Sequence, residues 1–340
     1  MVRMSNSSEI LDLLVVGAGP TGIAIGAEAR RAGLSVVLAD RGQLTQAILD
    51  FPTFMTFFTT RDKLEIAGVP FCVPDEKPSR QHALVYYRAV VEQYKIPLAL
   101  REEVLSVKRS GEFFTVESRR DGAPTQRFAK AVAFATGYFD HPFKLSIPGA
   151  ELPWVHSFYD DPYCHFSERV VIVGGGNSAC EAALDLWRNG VRSVTLVVRD
   201  SRLKEGVKYW VRPDVENRIA EGAIAAHFDT TVTAFHAEPR AVECRGHDGS
   251  TLTLPADSAI VLIGFHPDAG LLRRCGIEVD AKTLVPRVNL ETCESNVPGL
   301  YVAGTVQAGL DTGRIFIENS RAHGAQIVQH ILATFRNRTA

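Results

Sequence analysis

One supersecondary pattern occurs twice in this chain, and it limits the possible folds more than any other feature. Residues 11–16 form an apolar strand, Gly17-Ala18-Gly19-Pro20-Thr21-Gly22 a glycine turn, and a helical pattern then runs to about Arg31 with Gly33 as its stop. A second strand, 36–39, ends in Asp40. The same order returns at 169–199: strand 170–173, turn Gly174-Gly175-Gly176-Asn177-Ser178-Ala179, helix to about Arg188, stop at Gly190, and strand 195–198 ending in Arg199. In such a turn the first glycine permits the bend and the second lets backbone approach a pyrophosphate. The third small residue lets helix and strand pack closely. The first amides of the helix then face the phosphate charge. One match to this spacing is weak. Two matches, each between an apolar strand and a helix, predict an α/β fold with two nested Rossmann-like nucleotide-binding domains.

The ends of the two second strands differ in charge. Asp40 suits the hydroxyls of an unphosphorylated adenosine ribose, whereas Arg199 offers a cation where an acid would repel a 2′-phosphate. Arg202 and Lys204 add positive charge nearby. This asymmetry points to FAD at the first turn and NADPH at the second, hence to hydride transfer between a resident and a visiting cofactor. A third segment, 297–304, reads as turn, buried strand and Gly304, with a helix expected over about 315–334. Ala135-Thr136-Gly137 closes the last strand of the first half. The order implies a discontinuous FAD domain, 8–148 plus 286–340, with an NADPH domain, 149–285, inserted, and hinges near 148–153 and 284–287. The expected cofactor contacts are Gly17, Gly19, Pro20, Thr21, Gly22, Asp40, Thr136, Gly137 and Gly304 on the first side. On the second they are Gly174, Gly176, Asn177, Ser178, Ala179, Arg199 and Arg202.

Composition removes competing classes. The 340 residues carry 37 basic and 39 acidic side chains, net −2, so neither nucleic acid nor a membrane surface is an expected partner. Nothing approaches the roughly 18 consecutive apolar residues of a membrane helix. The six cysteines, at 72, 164, 180, 244, 275 and 293, contain no CxxC and no zinc-ligand spacing. That pattern excludes a metal and suits a reducing cytoplasm.

The tandem turns, Ala135-Thr136-Gly137 and the 299–304 strand make the chain resemble, over essentially its whole length, flavoproteins of the low-molecular-weight thioredoxin reductase type. More narrowly it is similar to the YpdA-type bacillithiol-disulfide or bacilliredoxin reductases. The strings that carry this are Phe57-Phe58-Thr59-Thr60, Val69-Pro70-Phe71, Glu76-Lys77-Pro78-Ser79-Arg80, Gly206-Val207-Lys208-Tyr209-Trp210-Val211 and Ile315-Phe316-Ile317-Glu318-Asn319. The resemblance implies FAD, NADPH, a homodimer, and a low-molecular-weight thiol disulfide or a redoxin in mixed disulfide as substrate. It also implies that Thr59, Thr305 and Ile315 lie at the flavin.

Two departures bear on the acceptor. Thioredoxin reductases proper carry a CxxC that is missing here, and the YpdA-type flavoproteins carry a cysteine inside the first glycine motif where this chain has Thr21. A hydroxyl cannot perform thiol–disulfide exchange. Cys72 is the replacement candidate, because it follows the aromatic loop that the resemblance puts near the flavin. His323 is the candidate proton donor to a leaving thiolate. Two alternatives stand beside disulfide reduction: a diaphorase or ferredoxin–NADP reductase-like enzyme that serves a small electron carrier without a redox cysteine, and a flavin redox sensor that does not turn over.

Overall fold

The computed structural model describes residues 9–339. These residues fall into two compact units. The first runs up to Asp50, then Met55–His141, then from His266 onward; the second is Phe51–Phe54 with Pro142–Phe265.

In the first unit Ile10–Val16 lies between Val36–Asp40 and Ala123–Phe134, parallel to both, and Leu98–Leu100 extends the sheet beyond Val36–Asp40. Leu13, Leu14 and Val15 are fully buried, because a parallel strand covered on both faces reads as an unbroken apolar run. The long strand Ala123–Phe134 has a divided far edge. Its first half pairs antiparallel with Phe113–Arg120, and Val132–Phe134 pairs parallel with Leu300–Val302. Ala135 N–H donates to Val16 O at 2.8 Å, Gly17 N–H to Ala39 O at 2.7 Å, and Ala303 N–H to Phe134 O at 2.8 Å. The carboxyl ends of four strands therefore converge, and with them Gly17, Asp40, Thr136 and Gly304.

The helix Pro20–Arg31 starts with Pro at its first position, where the ring presets φ and no amide is lost. Ile23, Ile25, Ala27 and Ala29 are fully buried. Its backbone at Ala24 lies so near the final helix that a Cβ on Gly324 would come within 2.9 Å of it.

The single helix expected over 315–334 is two helices, Ile317–Ser320 and His323–Thr339. Asn319 accepts from Phe316 N–H at 2.8 Å and donates to Arg314 O at 2.9 Å, and the Ser320 hydroxyl donates to Phe316 O at 2.7 Å. These local bonds compete with the helical ladder, so the chain turns before the long helix begins.

In the second unit the sheet order is Ala225–His227, Ser193–Val197, Arg169–Val173, Ser258–Val261, Val155–His156, all parallel. A three-stranded antiparallel sheet, Thr230–His236, Ala241–Gly246 and Thr251–Pro255, lies beside it. Arg169–Val173 divides its side chains by the period of two. Val170 and Ile172 face the helix Asn177–Arg188, while Val171 and Val173 face Trp154, Phe235 and Val242.

The changeovers fall at 141/142 and 265/266, not at the expected 148/149 and 285/286; the outer limits 8 and 340 lie outside the described residues. Packing explains both shifts. Leu145 and Ile147 pack on the second unit's antiparallel-sheet core. Leu271, Leu272, Cys275 and Ile277 are buried with Val104, Phe114 and Val132 in the first. The segments 148–153 and 284–287, expected as hinges, consequently lie inside the second and first units.

Candidate cofactor sites

The first glycine turn is built on close backbone approach. Gly17 has φ +112°, and a Cβ there would overlap the carbonyl of Ala135. A Cβ on Gly22 would overlap the carbonyl oxygen of Gly17. Gly19 differs: a Cβ there meets nothing within 4 Å, so that face of the turn is open. Gly19 is also the N-cap of the helix, and no side chain caps the helix there.

Asp40 ties this turn down. Ala18 N–H donates to Oδ2 and Gly42 N–H to Oδ1, each at 2.7 Å. Burial pushes the carboxyl above its usual range despite these two bonds. A carboxylate has about four lone-pair sites, so Asp40 fixes the loop and retains capacity for ribose hydroxyls. It lines a cleft with Gly17, Arg41, Thr136, Gly137 and Asp140, and Arg41 pairs with Asp140 there. In this cleft Thr136 Oγ1 is buried without a hydrogen-bond partner. A buried hydroxyl without a partner costs about 1–3 kcal/mol, which a polar ligand edge would recover.

The other expected residues of this side are placed as follows. Gly304, φ +78°, lies against Thr21, whose Oγ1 would be 2.6 Å from a Cβ on it. The Thr21 and Ser320 hydroxyls are 3.4 Å apart, so Thr21 joins the first helix to the C-terminal segment. Thr305 Oγ1 is 3.7 Å from where a Cβ on Gly137 would stand. Thr59 donates to the Glu318 carboxylate, and Ile315 is half-buried in the turn before Ile317–Ser320. His323 Nδ1 accepts from Gly304 N–H at 3.1 Å, and burial lowers its pKa. It is thus a neutral imidazole whose lone pair fixes the Gly304 turn, a role the sequence did not suggest.

Cys72 is exposed, next to Phe71, whose ring stacks on Tyr86 at 4.1 Å. Four other cysteines are buried. Burial pushes the Cys180 thiol up to about 12 and those of Cys244 and Cys293 up to about 11, so they stay protonated and inert.

The second turn repeats the first. Gly174 has φ +141°, and a Cβ there would overlap the carbonyl oxygen of Leu262. A Cβ on Gly175 would lie 2.7 Å from Val198 Cγ1. Gly176 is the N-cap, without a side-chain cap, Ala179 is buried beneath the turn, and Ser178 is exposed. Asn177 anchors the following loop: its Nδ2 donates to Gly206 O at 2.9 Å, and its Oδ1 accepts from Lys208 N–H at 2.8 Å. Arg199 lies 3.5 Å from Asp200, and Arg202 2.7 Å from Glu205. Lys204 instead folds back over the turn. Its N–H donates to Gly175 O at 2.9 Å, and its Cδ is 3.7 Å from a Cβ position on Gly176.

Among the described residues no group of three or more His, Cys, Asp or Glu is placed to hold a metal ion, and no helix is long and apolar enough to cross a membrane.

Residues 14–304 match the family model described as pyridine nucleotide-disulphide oxidoreductase. The chain belongs to that family. It is 34% identical over 319 residues to the bacilliredoxin reductase Bdr of Bacillus subtilis strain 168, covering 94% of this chain and 96% of that protein. Two solved structures of bacillithiol disulfide reductase Bdr (YpdA) are also similar. The Bacillus cereus protein aligns with a TM-score of 0.92 at 33% identity, covering 96% of this chain and all of that one. The Staphylococcus aureus protein aligns with a TM-score of 0.90 at 34% identity, covering 96% and 99%. The family member described here is an NADPH-dependent flavin oxidoreductase with a thioredoxin reductase-like fold. The two turns fit its two cofactors, FAD and NADPH: each has an uncapped helix start, and the first has the unpartnered Thr136 hydroxyl beside Asp40.

Proposed function

We propose that this enzyme uses NADPH and FAD to reduce a small disulfide, either that of bacillithiol or a mixed disulfide of that thiol with a redoxin. The near full-length likeness to reductases named for those substrates carries the reading. The balance is NADPH, one proton and one disulfide giving NADP⁺ and two thiols. Bound FAD supplies a two-electron acceptor for the hydride and a donor to the disulfide. The backbone of Gly17, Gly19, Pro20, Thr21 and Gly22 would hold its pyrophosphate and Asp40 its ribose. Thr59, Thr136, Gly137, Gly304, Thr305 and Ile315 complete that site. Gly174, Gly176, Asn177, Ser178 and Ala179 would hold NADPH at the second turn, with Arg199 and Arg202 supplying charge for its 2′-phosphate. His323 acts by holding the Gly304 turn. The reading includes a homodimer in the cytoplasm, and sedimentation checks the first part.

One observation favours a second reading. The Thr21 hydroxyl packs between Gly304 and Ser320 and offers no thiolate, which favours direct reduction of a small electron carrier. A single experiment separates the two. The enzyme is reduced anaerobically with NADPH, then mixed with bacillithiol disulfide, a bacilliredoxin mixed disulfide, ferredoxin or a quinone, and flavin reoxidation is followed. Rapid reoxidation by either disulfide is the expected result. Reoxidation by ferredoxin or quinone alone transfers the function to the second reading, and no turnover with any acceptor leaves the sensor. Cys72→Ser is expected to slow disulfide turnover at least tenfold with flavin reduction by NADPH unchanged. Full turnover by that variant removes Cys72 from the reaction.

A further inference from the structure

The loop after Ser193–Val197 carries four cations, and their surroundings differ; Lys208 pairs with Glu181 at 2.6 Å. Arg199 and Arg202 are each 74% exposed and lie beside Asp200 and Glu205. Lys204 has no carboxylate within ion-pair distance among the described residues, and both its backbone polar groups are tied. Its N–H donates to Gly175 O. Its C=O accepts from Arg212 Nη2 at 2.7 Å, and the same nitrogen donates to Leu203 O at 3.0 Å. Leu203 and Val207, buried on either side, hold the loop down. The Lys204 stem then passes 3.7 Å from the Cβ position of Gly176, the glycine whose bare face lets backbone approach a pyrophosphate.

We propose that Lys204 supplies the cation for the pyrophosphate of the nicotinamide coenzyme, and that Arg212 is the positioning residue that holds it there. Lysine is a compact charge on a flexible stem, so its contribution depends on where its Cα is held. Arg212 fixes that point and turns two carbonyl oxygens toward its own guanidinium. The inference rests on the NADPH reading, but it assigns Lys204 to the bridge shared by NADPH and NADH, and leaves the 2′-phosphate to Arg199 and Arg202.

The test uses oxidised, FAD-loaded enzyme titrated calorimetrically with NADP⁺, NAD⁺ and adenosine 2′-monophosphate, which has the 2′-phosphate and no pyrophosphate. Lys204→Met and Arg212→Met are each expected to weaken NADP⁺ and NAD⁺ about tenfold alike and to leave adenosine 2′-monophosphate unchanged. The double variant is expected to be no weaker than the worse single one, because the second residue acts through the first. Arg199→Met is the converse control, changing the NADP⁺ to NAD⁺ ratio. Additive losses, an equal loss of adenosine 2′-monophosphate, or no loss overturns the proposal. If Arg212→Met does not fold, Arg212→Lys is read the same way, with about a threefold loss expected and none overturning the role. Wild-type enzyme that binds neither coenzyme contradicts the NADPH reading itself and is thereby distinguished.

Discussion

Gly22→Ala is expected to give a protein purified without its yellow colour and less stable by about 3 kcal/mol, the upper end for an added methyl that nothing can yield to. The added methyl would overlap the Gly17 carbonyl oxygen, which is backbone and has no rotamer by which to yield. Strand and helix would have to separate at the point where the Gly17 and Ala135 backbones meet. Gly19→Ala provides the contrast. Gly19 is extended, at φ −80° and ψ −178°, and a methyl there meets no protein atom within 4 Å. Its apoprotein should match wild-type apoprotein within about 0.5 kcal/mol, yet flavin content per protein should fall at least tenfold, because the methyl enters the face where a pyrophosphate approaches backbone. Visible flavin absorbance and thermal melts of both apoproteins check the pair. Full flavin content in Gly19→Ala would place the cofactor somewhere other than this turn.

The same contrast explains what could be read in advance. Gly22 is crowded by its own turn, a local steric demand, and Gly17, Gly174 and Gly176 share its fixed spacing, so all four stood out from the sequence, as did strand ends such as Asp40, although the carbonyls that crowd Gly17 and Gly174 belong to Ala135 and Leu262, far along the chain. Demands met across the fold left no such mark. The N–H of Gly304 finds its acceptor on His323, 19 residues on. The grip of Arg212 on residues 203 and 204 was equally hidden, because an arginine opening a helix reads as a solvated cation. The return to the first unit at His266 was missed because its helix, Ala269–Arg274, has only six residues, too few to show a period. The single C-terminal helix was over-read for a related reason. Its apolar spacing continues through 315–334, and only the side-chain bonds of Asn319 and Ser320 reveal the break.

A second large effect is expected from Arg127→Met, which should destabilise the first unit by about 3–5 kcal/mol. Glu102 opens the strand Glu102–Ser110, and its side chain is completely buried. Arg127 Nε and Nη2 donate to its two carboxylate oxygens at 2.8 and 2.7 Å, and the Ser118 hydroxyl adds a third bond at 2.8 Å. The partners lie on the three strands of a meander, and its second turn, Asp121-Gly122, has φ +48° and +83°, so that Arg120 pairs directly with Ala123. A two-residue turn of that kind fixes strand register, and with it the meeting of Glu102 and Arg127. Removing the arginine leaves a buried carboxylate with one hydroxyl for support, whereas Glu102→Gln combined with Arg127→Met should recover much of the loss. Acid provides an independent check. Burial works to raise the Glu102 carboxyl, but the hydrogen bonds from Arg127 and Ser118 and the charge of Arg127 outweigh it, so it titrates below its ordinary value of 4.5. A carboxyl depressed in the folded state stabilises above its unfolded pKa and loses that contribution as pH falls through the folded one. The stability gap between wild type and Glu102→Gln should therefore hold steady near neutrality and shrink once pH drops below about 4.5. Because Glu102 also lines the cleft that contains Asp40 and Thr136, Arg127→Met should release flavin at a lower temperature than wild type. A variant that melts lower yet keeps its flavin up to the wild-type release temperature would show that the meander and the cofactor cleft are not coupled.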